Sequence, residues 1–570
     1  MTAARGNGWN PILVACARAR LRPRMVLGWA VVSLVFTAFV FLVVYFPLRY
    51  RTQGVSAEDA LKATLPSLII VQGVLLMLLG TTSVSAGIAQ ERESGNIAYQ
   101  RMTPMTPTAK IIGYLFGLAA REYVLFALTL PFVAYVVVVG GVGIVSLLHF
   151  YAVFFTSVWM YHLVGLLAGM VASKPRNAIM LSSRMVFALY FVLPQFASLG
   201  FAFLEYLTVR PTFYRIVLDE LRSSVAPTLR WEDIEGLVQH YTRPVAFFHW
   251  RVHPTLFTLA LEGFLGVSLF IAIARRWAQD THHVFSKLYA LIIYAALQTL
   301  MVGSLWPYLS GRLHFDRTVM GIMENEAPDA ALMLLMFMFM GLSLVSALLL
   351  LHIITPERNT FIRGLRRARK MALRRVPLTS DAASSLIYAV AMIAMTVASY
   401  VALMEVAAGA GLFFRVQPTT AQTFGPPVLF AAIVLCVYAG RELFSDRGFF
   451  LLLFVLWGVP ILAATVLLAA RNLPIEASYV ALPSPIASLL FAVVNMFDDA
   501  RVLLGRFPDW QTHLPWLTWL AVAVNLLVAL VLGALLVHDR RDIYKREWMT
   551  ELGTDKAGVK AERVAANAGA

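Results

Sequence analysis

Long apolar runs recur along the whole chain, and short charged segments separate them. Each run has about 20 residues, the length that crosses the ~30 Å hydrocarbon layer of a bilayer as a helix. Hydrophobic residues make up 59% of the chain and charged residues only 14%, whereas a soluble domain has about 25% charged residues. The sequence therefore predicts an all-α polytopic membrane protein with about 12 transmembrane helices. The predicted spans are residues 25–47, 65–89, 111–139, 148–172, 178–203, 254–274, 288–308, 330–354, 385–409, 427–444, 449–470 and 515–537.

Basic residues outnumber acidic ones, and the formal net charge is +15. Lys and Arg concentrate in the loops that share a side with the N-terminus, and the positive-inside rule explains this bias without a nucleic acid partner. Both termini are therefore predicted to be cytoplasmic, with the chain integral to the inner or plasma membrane. The first apolar run is too long for a signal-peptide core, so it is predicted to be a retained span.

Charged pairs at the ends of the spans repeat along the chain. A Glu-Arg pair follows the second and eighth spans, and an Arg-Arg pair ends the sixth and twelfth, at nearly equal offsets: Glu91-Arg92, Glu357-Arg358, Arg275-Arg276 and Arg540-Arg541. Six spans in each half is an even number, so the halves are predicted to be two parallel six-helix repeats with a pathway between them.

These landmarks divide the chain into predicted domains. They are an interfacial helix in residues 1–24, a first half in 25–284, a second half in 285–540, and a disordered cytoplasmic tail in 541–570. Two longer external segments, 204–253 and 471–514, contain apolar stretches marked by prolines. Both are predicted to form external or re-entrant helices, because irregular backbone at membrane depth must be shielded by protein.

One segment between the second and third predicted spans combines charges, a glycine and prolines. It reads Ile88-Ala89-Gln90-Glu91-Arg92-Glu93-Ser94-Gly95-Asn96, then Arg101-Met102-Thr103-Pro104-Met105-Thr106-Pro107, then Lys110. Charges fixed at the end of a span suit a polar contact with another protein. Gly95 permits a turn or a close backbone approach, and Pro104 would end a short helix. The alternative is an ordinary charged loop.

This segment resembles the type-2 ATP-binding-cassette (ABC) exporter permease family, in which an E-R-E-x-G sequence after the second span leads into a short helix and a proline-containing turn. Asn10-Pro11 and the basic stretch after it also resemble that family's N-terminal interfacial helix. The resemblance implies a permease that exports a hydrophobic or amphipathic substrate by alternating access. It also implies a coupling helix in 91–104 that docks on a cytoplasmic ATPase through Glu91, Arg92, Glu93, Gly95, Arg101 and Pro104.

The second half departs from this pattern. Glu357 and Arg358 keep one Glu-Arg pair, but the glycine that follows it in the first half is missing, and the chain runs into a basic stretch. A second coupling helix near 357–370 is predicted, with a docking surface unlike the first. The alternative is a solvated basic helix beside anionic headgroups.

No phosphate-binding G-x-x-x-x-G-K-[ST] motif occurs in the chain, and the predicted cytoplasmic segments are too short for an ATPase domain. If ATP drives transport, a separate chain binds the ATP and Mg²⁺. This chain is then a transport subunit, without catalytic residues or a cofactor of its own. One copy with two ATPase subunits, identical or different, is the expected assembly.

Several polar side chains lie within the predicted spans. A charge in hydrocarbon is costly, so these residues should face partners or water. They could line a gate between the halves, or form structural ion pairs such as Arg121 or Arg184 with Glu262. His162 is expected to be a packed, hydrogen-bonded residue. The full set is Arg121, Glu122, His162, Arg184, Glu262 and Glu405.

The sequence offers little for metal binding. His249 and His253 are four residues apart, but Pro254 follows at once and no third ligand is evident. The two cysteines, Cys16 and Cys436, cannot form a disulfide framework or a cysteine metal site. No metal site is predicted.

Two other functions remain open. An ion-coupled secondary transporter would use the buried carboxylates as coupling sites. A membrane-embedded lipid-linked transferase would need an acidic or histidine-containing loop at the membrane face. The external acidic clusters are Glu232, Asp233 and Glu235, and Asp498 and Asp499, and neither cluster forms a known catalytic arrangement.

Overall fold

The computed structural model describes residues 10–51, 55–219, 238–279, 282–314, 328–373, 375–411, 418–471, 474–496 and 510–568. Within these ranges twelve helices are long and apolar enough to cross a membrane, and the predicted all-α polytopic membrane protein is confirmed. Numbered in chain order, spans 1 to 12 are Pro23–Tyr50, Ala57–Glu93, Ala120–Gly140, Ile144–Val171, Pro175–Leu199, Pro254–Ala278, Lys287–Leu309, Ala330–Ile354, Leu386–Ala410, Thr420–Leu443, Arg447–Ala470 and Thr512–Glu547.

One difference from the predicted spans bears on the charged residues. Span 3 begins at Ala120 rather than 111, because the chain breaks at Ala119 after a separate helix, Pro107–Leu118. Arg121 and Glu122 therefore lie in the first turn of span 3, not well inside it as predicted. The partial positive charge at a helix N-terminus favours an acidic residue at that place.

The chain divides into two compact units, unit 1 (Met1–His282) and unit 2 (His283–Ala570). Unit 1 contains spans 1 to 6, and unit 2 contains spans 7 to 12. The last helix, Trp510–Ala568, continues beyond span 12. Residues 541–568 are helical here, and the disordered tail from 541 stays a prediction. Glu547, the last residue of span 12, pairs with Arg366 at 2.8 Å.

Spans 2 and 4 pack closely in unit 1, with small residues between them. A Cβ atom added to Gly165 would lie 2.5 Å from the carbonyl oxygen of Thr81, and one added to Gly169 would lie 2.5 Å from that of Ser85. At both positions only glycine leaves room for the facing backbone, and this spacing of small residues allows the two helices to approach closely.

An N-terminal helix, Pro11–Arg20, packs against the Pro107–Leu118 helix. The Asn10 side chain caps it, accepting from the backbone amide of Ile12 at 3.0 Å. Cys16 lies against Gly117. Burial, and then the Glu91 carboxylate, raise the pKa of the Cys16 thiol to about 11, so this cysteine stays protonated and unreactive at neutral pH.

Polar side chains join the spans within each unit. In unit 1 the Gln72 amide donates to Thr129 at 2.8 Å and accepts from Tyr151 at 2.6 Å, which connects spans 2, 3 and 4. In unit 2, Tyr294 and Gln298 of span 7 bond to spans 8 and 9 through Ser343 and Thr396. Such bonds satisfy polar groups that lipid could not.

The longer connecting segments are only partly helical. Val245–Phe247 (β1) pairs antiparallel with Trp250–Val252 (β2), so the prediction of helices alone is wrong for this part of 204–253. β-Branched and aromatic residues there favour extended backbone. In 471–514, the helices Pro474–Ala481 and Pro485–Val494 form a pair bent by 118°. A broken span or a re-entrant loop has this geometry.

Candidate functional site

The segment between span 2 and the Pro107–Leu118 helix contains a seven-residue helix, Asn96–Met102, here called the junction helix. Span 2 ends at Glu93, and Gly95 reverses the chain with φ +80°. This left-handed conformation strains any residue that carries a Cβ. After the junction helix the chain is extended at Thr103 and passes Pro104 before the next helix begins.

Two arginines, one on each side of the Gly95 turn, bind the ends of other spans: Arg92 in the last turn of span 2, and Arg101 in the junction helix. Arg92 donates to the carbonyl oxygens of Met170 and Ala172, where span 4 ends, the second at 3.0 Å. Arg101 donates to the carbonyl oxygens of Trp277 at 2.9 Å and Arg276 at 3.2 Å, where span 6 ends. Helix C-termini have unpaired carbonyls and partial negative charge, so cations stabilise them.

Lys110 stabilises the C-terminal end of the junction helix in the same way. Its ammonium group is buried and donates to the carbonyl oxygens of Gln100 and Thr103, at the C-terminal end of that helix. Ile97 is buried on the inner side. The junction helix is therefore bound to the end of span 6 through Arg101 and to the Pro107–Leu118 helix through Lys110, and the end of span 2 that leads into it is bound to span 4 through Arg92.

The outer side of the junction helix presents apolar side chains. Tyr99 is 66% exposed and Met102 is 78% exposed. Residues three apart share one helix face, and tyrosine and methionine are enriched in protein–protein interfaces. Sequence reasoning missed both residues. Their spacing from buried Ile97 is a signal that they face outward, once the helix is known to start at Asn96.

The acidic residues of the motif have different roles. Glu91 is half-buried and accepts from the Asn96 side chain at 2.9 Å, which supports the turn at Gly95. Glu93 is exposed. Sequence reasoning treated Arg92 and Arg101 as surface charges for docking, whereas in the structure both bind backbone carbonyls of unit 1. The surface open to a partner includes the charged Glu93 and the large apolar side chains of Tyr99 and Met102, with Ser94, Gly95, Asn96, Ala98 and Pro104 also exposed.

The corresponding segment of unit 2 is a 13-residue helix, Arg358–Lys370, here called the basic helix. Glu357 is its N-cap residue. Its apolar side packs against the last turns of span 12 through Phe361 and Leu365, which form one buried cluster with Ile543. Arg358 pairs with Asp539 at 2.6 Å, and Arg366 with Glu547 at 2.8 Å.

The outer side of the basic helix differs from that of the junction helix. Its exposed residues include Arg363, Arg367 and Lys370, and it presents no exposed large apolar side chain between Arg358 and Lys370. The two segments follow spans 2 and 8, yet one offers an apolar contact and the other a cationic surface.

The intramembrane charges pair differently from the prediction. Arg121 bonds to its neighbour Glu122 at 2.5 Å, and the Ser83 hydroxyl donates to the same carboxylate at 2.7 Å. The predicted pair of Arg121 or Arg184 with Glu262 is absent. Arg184 is exposed and forms no ion pair among the described residues.

Glu262 is a buried carboxyl group in the middle of span 6, 1% exposed. Its Oε1 accepts a hydrogen bond from the Ser157 hydroxyl of span 4. Among the described residues its Oε2 has no hydrogen-bond partner. Glu405, in contrast, is exposed on span 9. Among the predicted carboxylates, Glu122 and Glu262 are thus the buried ones.

His162 is fully buried in span 4. Its Nε2 lies 3.0 Å from the carbonyl oxygen of Leu76, and its ring packs edge-on against Tyr123 at 5.7 Å between centroids. Gly80 faces the same ring. The histidine is therefore packed and hydrogen-bonded, in the way expected of a structural residue.

An arginine lies beside His253, the residue that precedes span 6. Arg215 lies 2.8 Å from Nε2 of His253, and burial, with Arg215, lowers the pKa of His253. No group of three potential metal ligands occurs among the described residues. The acidic clusters Glu232, Asp233 and Glu235, and Asp498 and Asp499, lie outside the described residues.

Comparison with other proteins adds no relative. No family model, curated protein or solved structure matches this chain.

Proposed function

We propose that this chain is the transmembrane permease subunit of an ABC exporter, which moves a hydrophobic or amphipathic substrate outward by alternating access. A separate ATPase supplies the energy, and both termini lie in the cytoplasm of a cell with this chain in its inner or plasma membrane. The observation that carries the proposal is the junction helix. It exposes Tyr99 and Met102, its Arg101 side chain binds the end of span 6, and Arg92 just before it binds the end of span 2 to the end of span 4.

This geometry suits the transmission of force from a partner. A protein bound to Tyr99 and Met102 would push on a helix that Arg101 binds to span 6, and that continues from the end of span 2, which Arg92 binds to span 4. An exposed loop used only to connect two spans needs neither the inward cations nor the outward apolar residues. Large exposed apolar side chains rimmed by charge are typical of protein contact sites.

The difference between the two segments supports unequal partner contacts. The junction helix offers Tyr99 and Met102, whereas the basic helix offers cations beside Glu357 and Arg358. Of two ATPase subunits docked on these surfaces, one would contact apolar side chains and the other would contact cations. We therefore propose that the first segment is the stronger coupling site, and that the second takes a different subunit or couples weakly.

The double variant Tyr99→Ser/Met102→Ser tests this proposal. The tagged full-length chain would be purified in mild detergent from the cells that naturally produce it, and Mg-ATP hydrolysis in the eluate would be measured. We expect the variant to lose about 30-fold or more of the co-purified hydrolysis, because each buried anchor of an interface contributes roughly 1–2 kcal/mol or more.

Trp250→Ser is the matched control. Trp250 is 69% exposed in the β-hairpin that precedes span 6, at the opposite end of that span from the junction helix. It should retain full hydrolysis. Equal hydrolysis by wild type and the Tyr99/Met102 variant, or wild-type protein that carries no ATPase chain with a G-x-x-x-x-G-K-[ST] motif, would reject the proposal.

Glu262 favours a second candidate function, an ion-coupled secondary transporter. A buried carboxyl group with one oxygen free of hydrogen bonds among the described residues could carry a proton across the membrane. If so, Glu262→Gln should abolish transport driven by a proton gradient in ATP-free vesicles. If the ABC proposal holds, transport needs ATP, and Glu262→Gln at normal protein levels leaves transport within about twofold of wild type, because glutamine keeps the bond to Ser157.

A further inference from the structure

Unit 2 contains a lateral groove between spans 10 and 12 and residues 375–386, with a volume of about 580 Å³. This volume lies within the roughly 300–1,000 Å³ of small-molecule sites. None of the residues used in the proposed coupling contact lines it. Its wall is apolar along most of its length and charged at one end.

The apolar wall has the length of one membrane leaflet. On span 12 it runs from Leu526 to Val537, a rise of about 17 Å in a helix. Half of the hydrocarbon layer measures about 15 Å. Leu530 and Val537 are exposed, so the groove opens sideways, where the acyl chains of a bilayer lie. Gly533 leaves open space in the middle of this wall.

The charged end of the groove is cationic. Glu442 is neutralised by Arg540 at 2.7 Å, and Arg540 also lies over the Phe361 ring, 3.4 Å from its centroid. Arg375 and Arg541 are both exposed at this end, and neither forms an ion pair with any described residue. Two uncompensated guanidinium groups therefore stand where the apolar wall ends.

From this arrangement we propose that the groove binds one anionic phospholipid, with its phosphate between Arg375 and Arg541 and one acyl chain along span 12. Guanidinium groups bind phosphate oxygens through paired hydrogen bonds. A soluble anion would leave the apolar wall empty, and a zwitterionic lipid would bring its own cation towards two arginines. The occupant thus follows from the charge and the length of the groove together.

Native mass spectrometry of the full-length protein in detergent tests the site with phosphatidylglycerol and phosphatidylcholine. Wild type should bind one phosphatidylglycerol about 30-fold more tightly than phosphatidylcholine, since each arginine near an anionic headgroup contributes roughly a factor of five. Arg375→Gln/Arg541→Gln should lose this preference. Gly533→Leu should lose the tight site, because the leucine fills the space of the acyl chain.

Arg363→Gln/Arg367→Gln is the matched control, since it removes two charges from the exposed side of the basic helix without touching the groove. It should keep the preference. The proposal is overturned if the two lipids bind equally to wild type, or if the Arg375/Arg541 variant keeps the preference. Displacement of phosphatidylglycerol by millimolar inorganic phosphate would also overturn it, since a phosphate ion would then be the ligand.

Discussion

Replacing Arg121 by leucine is expected to lower the free energy of unfolding by about 3 kcal/mol. The change removes the cation that pairs with the Glu122 carboxylate. Glu122 is 1% exposed and would keep only the Ser83 hydroxyl as a described hydrogen-bond donor. Breaking a buried ion pair costs roughly 3–5 kcal/mol, and the lower value applies because 20% of the Arg121 side chain is exposed. The lost contact of Arg121 with the Trp29 ring, 5.2 Å away, acts in the same direction.

The double variant Arg121→Leu/Glu122→Leu should restore most of that stability, since an apolar pair can replace a buried ion pair at little cost. Arg184→Leu is the control, because Arg184 is exposed and forms no ion pair among the described residues; it should change stability by about 0.5 kcal/mol or less. Unfolding in SDS, followed by tryptophan fluorescence, measures all three. A single variant as stable as wild type would contradict the pairing, as would a double variant less stable than the single one.

The number and places of the spans could be predicted because the thickness of a bilayer fixes the length of an apolar helix. The pairing of charges could not. Arg121, Glu122 and Glu262 are evident as intramembrane charges, but which of them meet depends on the rotation and depth of each helix. Hydropathy does not contain that information, and the break at Ala119, which sets the depth of Arg121 and Glu122, lies within an apolar run that has no proline to mark it.

The candidate site was predictable in its location but not in the direction of its side chains. The turn at Gly95 and the end of the short helix near Pro104 follow from residue type. Arg92 and Arg101 bind carbonyls that are distant in sequence, near residues 171 and 277. Only the packing of three spans shows that these cations point inward, which leaves Tyr99 and Met102 as the outer surface.

The contact between spans 2 and 4 should be the packing in unit 1 that is most sensitive to larger side chains. We expect Gly165→Leu and Gly169→Leu to cost about 1–3 kcal/mol each, because overpacking a tight contact forces the backbone to shift. The facing atoms are carbonyl oxygens of Thr81 and Ser85, only 2.5 Å from the new Cβ. A backbone oxygen cannot relieve the clash by a change of rotamer, as a side chain can. Gly266→Leu in span 6, where nothing lies within 4 Å, is the matched control and should cost about 0.5 kcal/mol or less.

The two substitutions combined, Gly165→Leu/Gly169→Leu, should loosen the junction helix. Gly169 stands one residue before Met170, whose carbonyl oxygen binds Arg92. Separation of spans 2 and 4 there should pull Arg92 away from the end of span 4. Hydrogen exchange of amides 94–103 is expected to rise about tenfold, since roughly 1.4 kcal/mol of local stability is lost with that contact. If unfolding and exchange both match those of Gly266→Leu, spans 2 and 4 do not hold the junction helix, and motion at Tyr99 and Met102 would have to reach the membrane through Arg101 and span 6 alone.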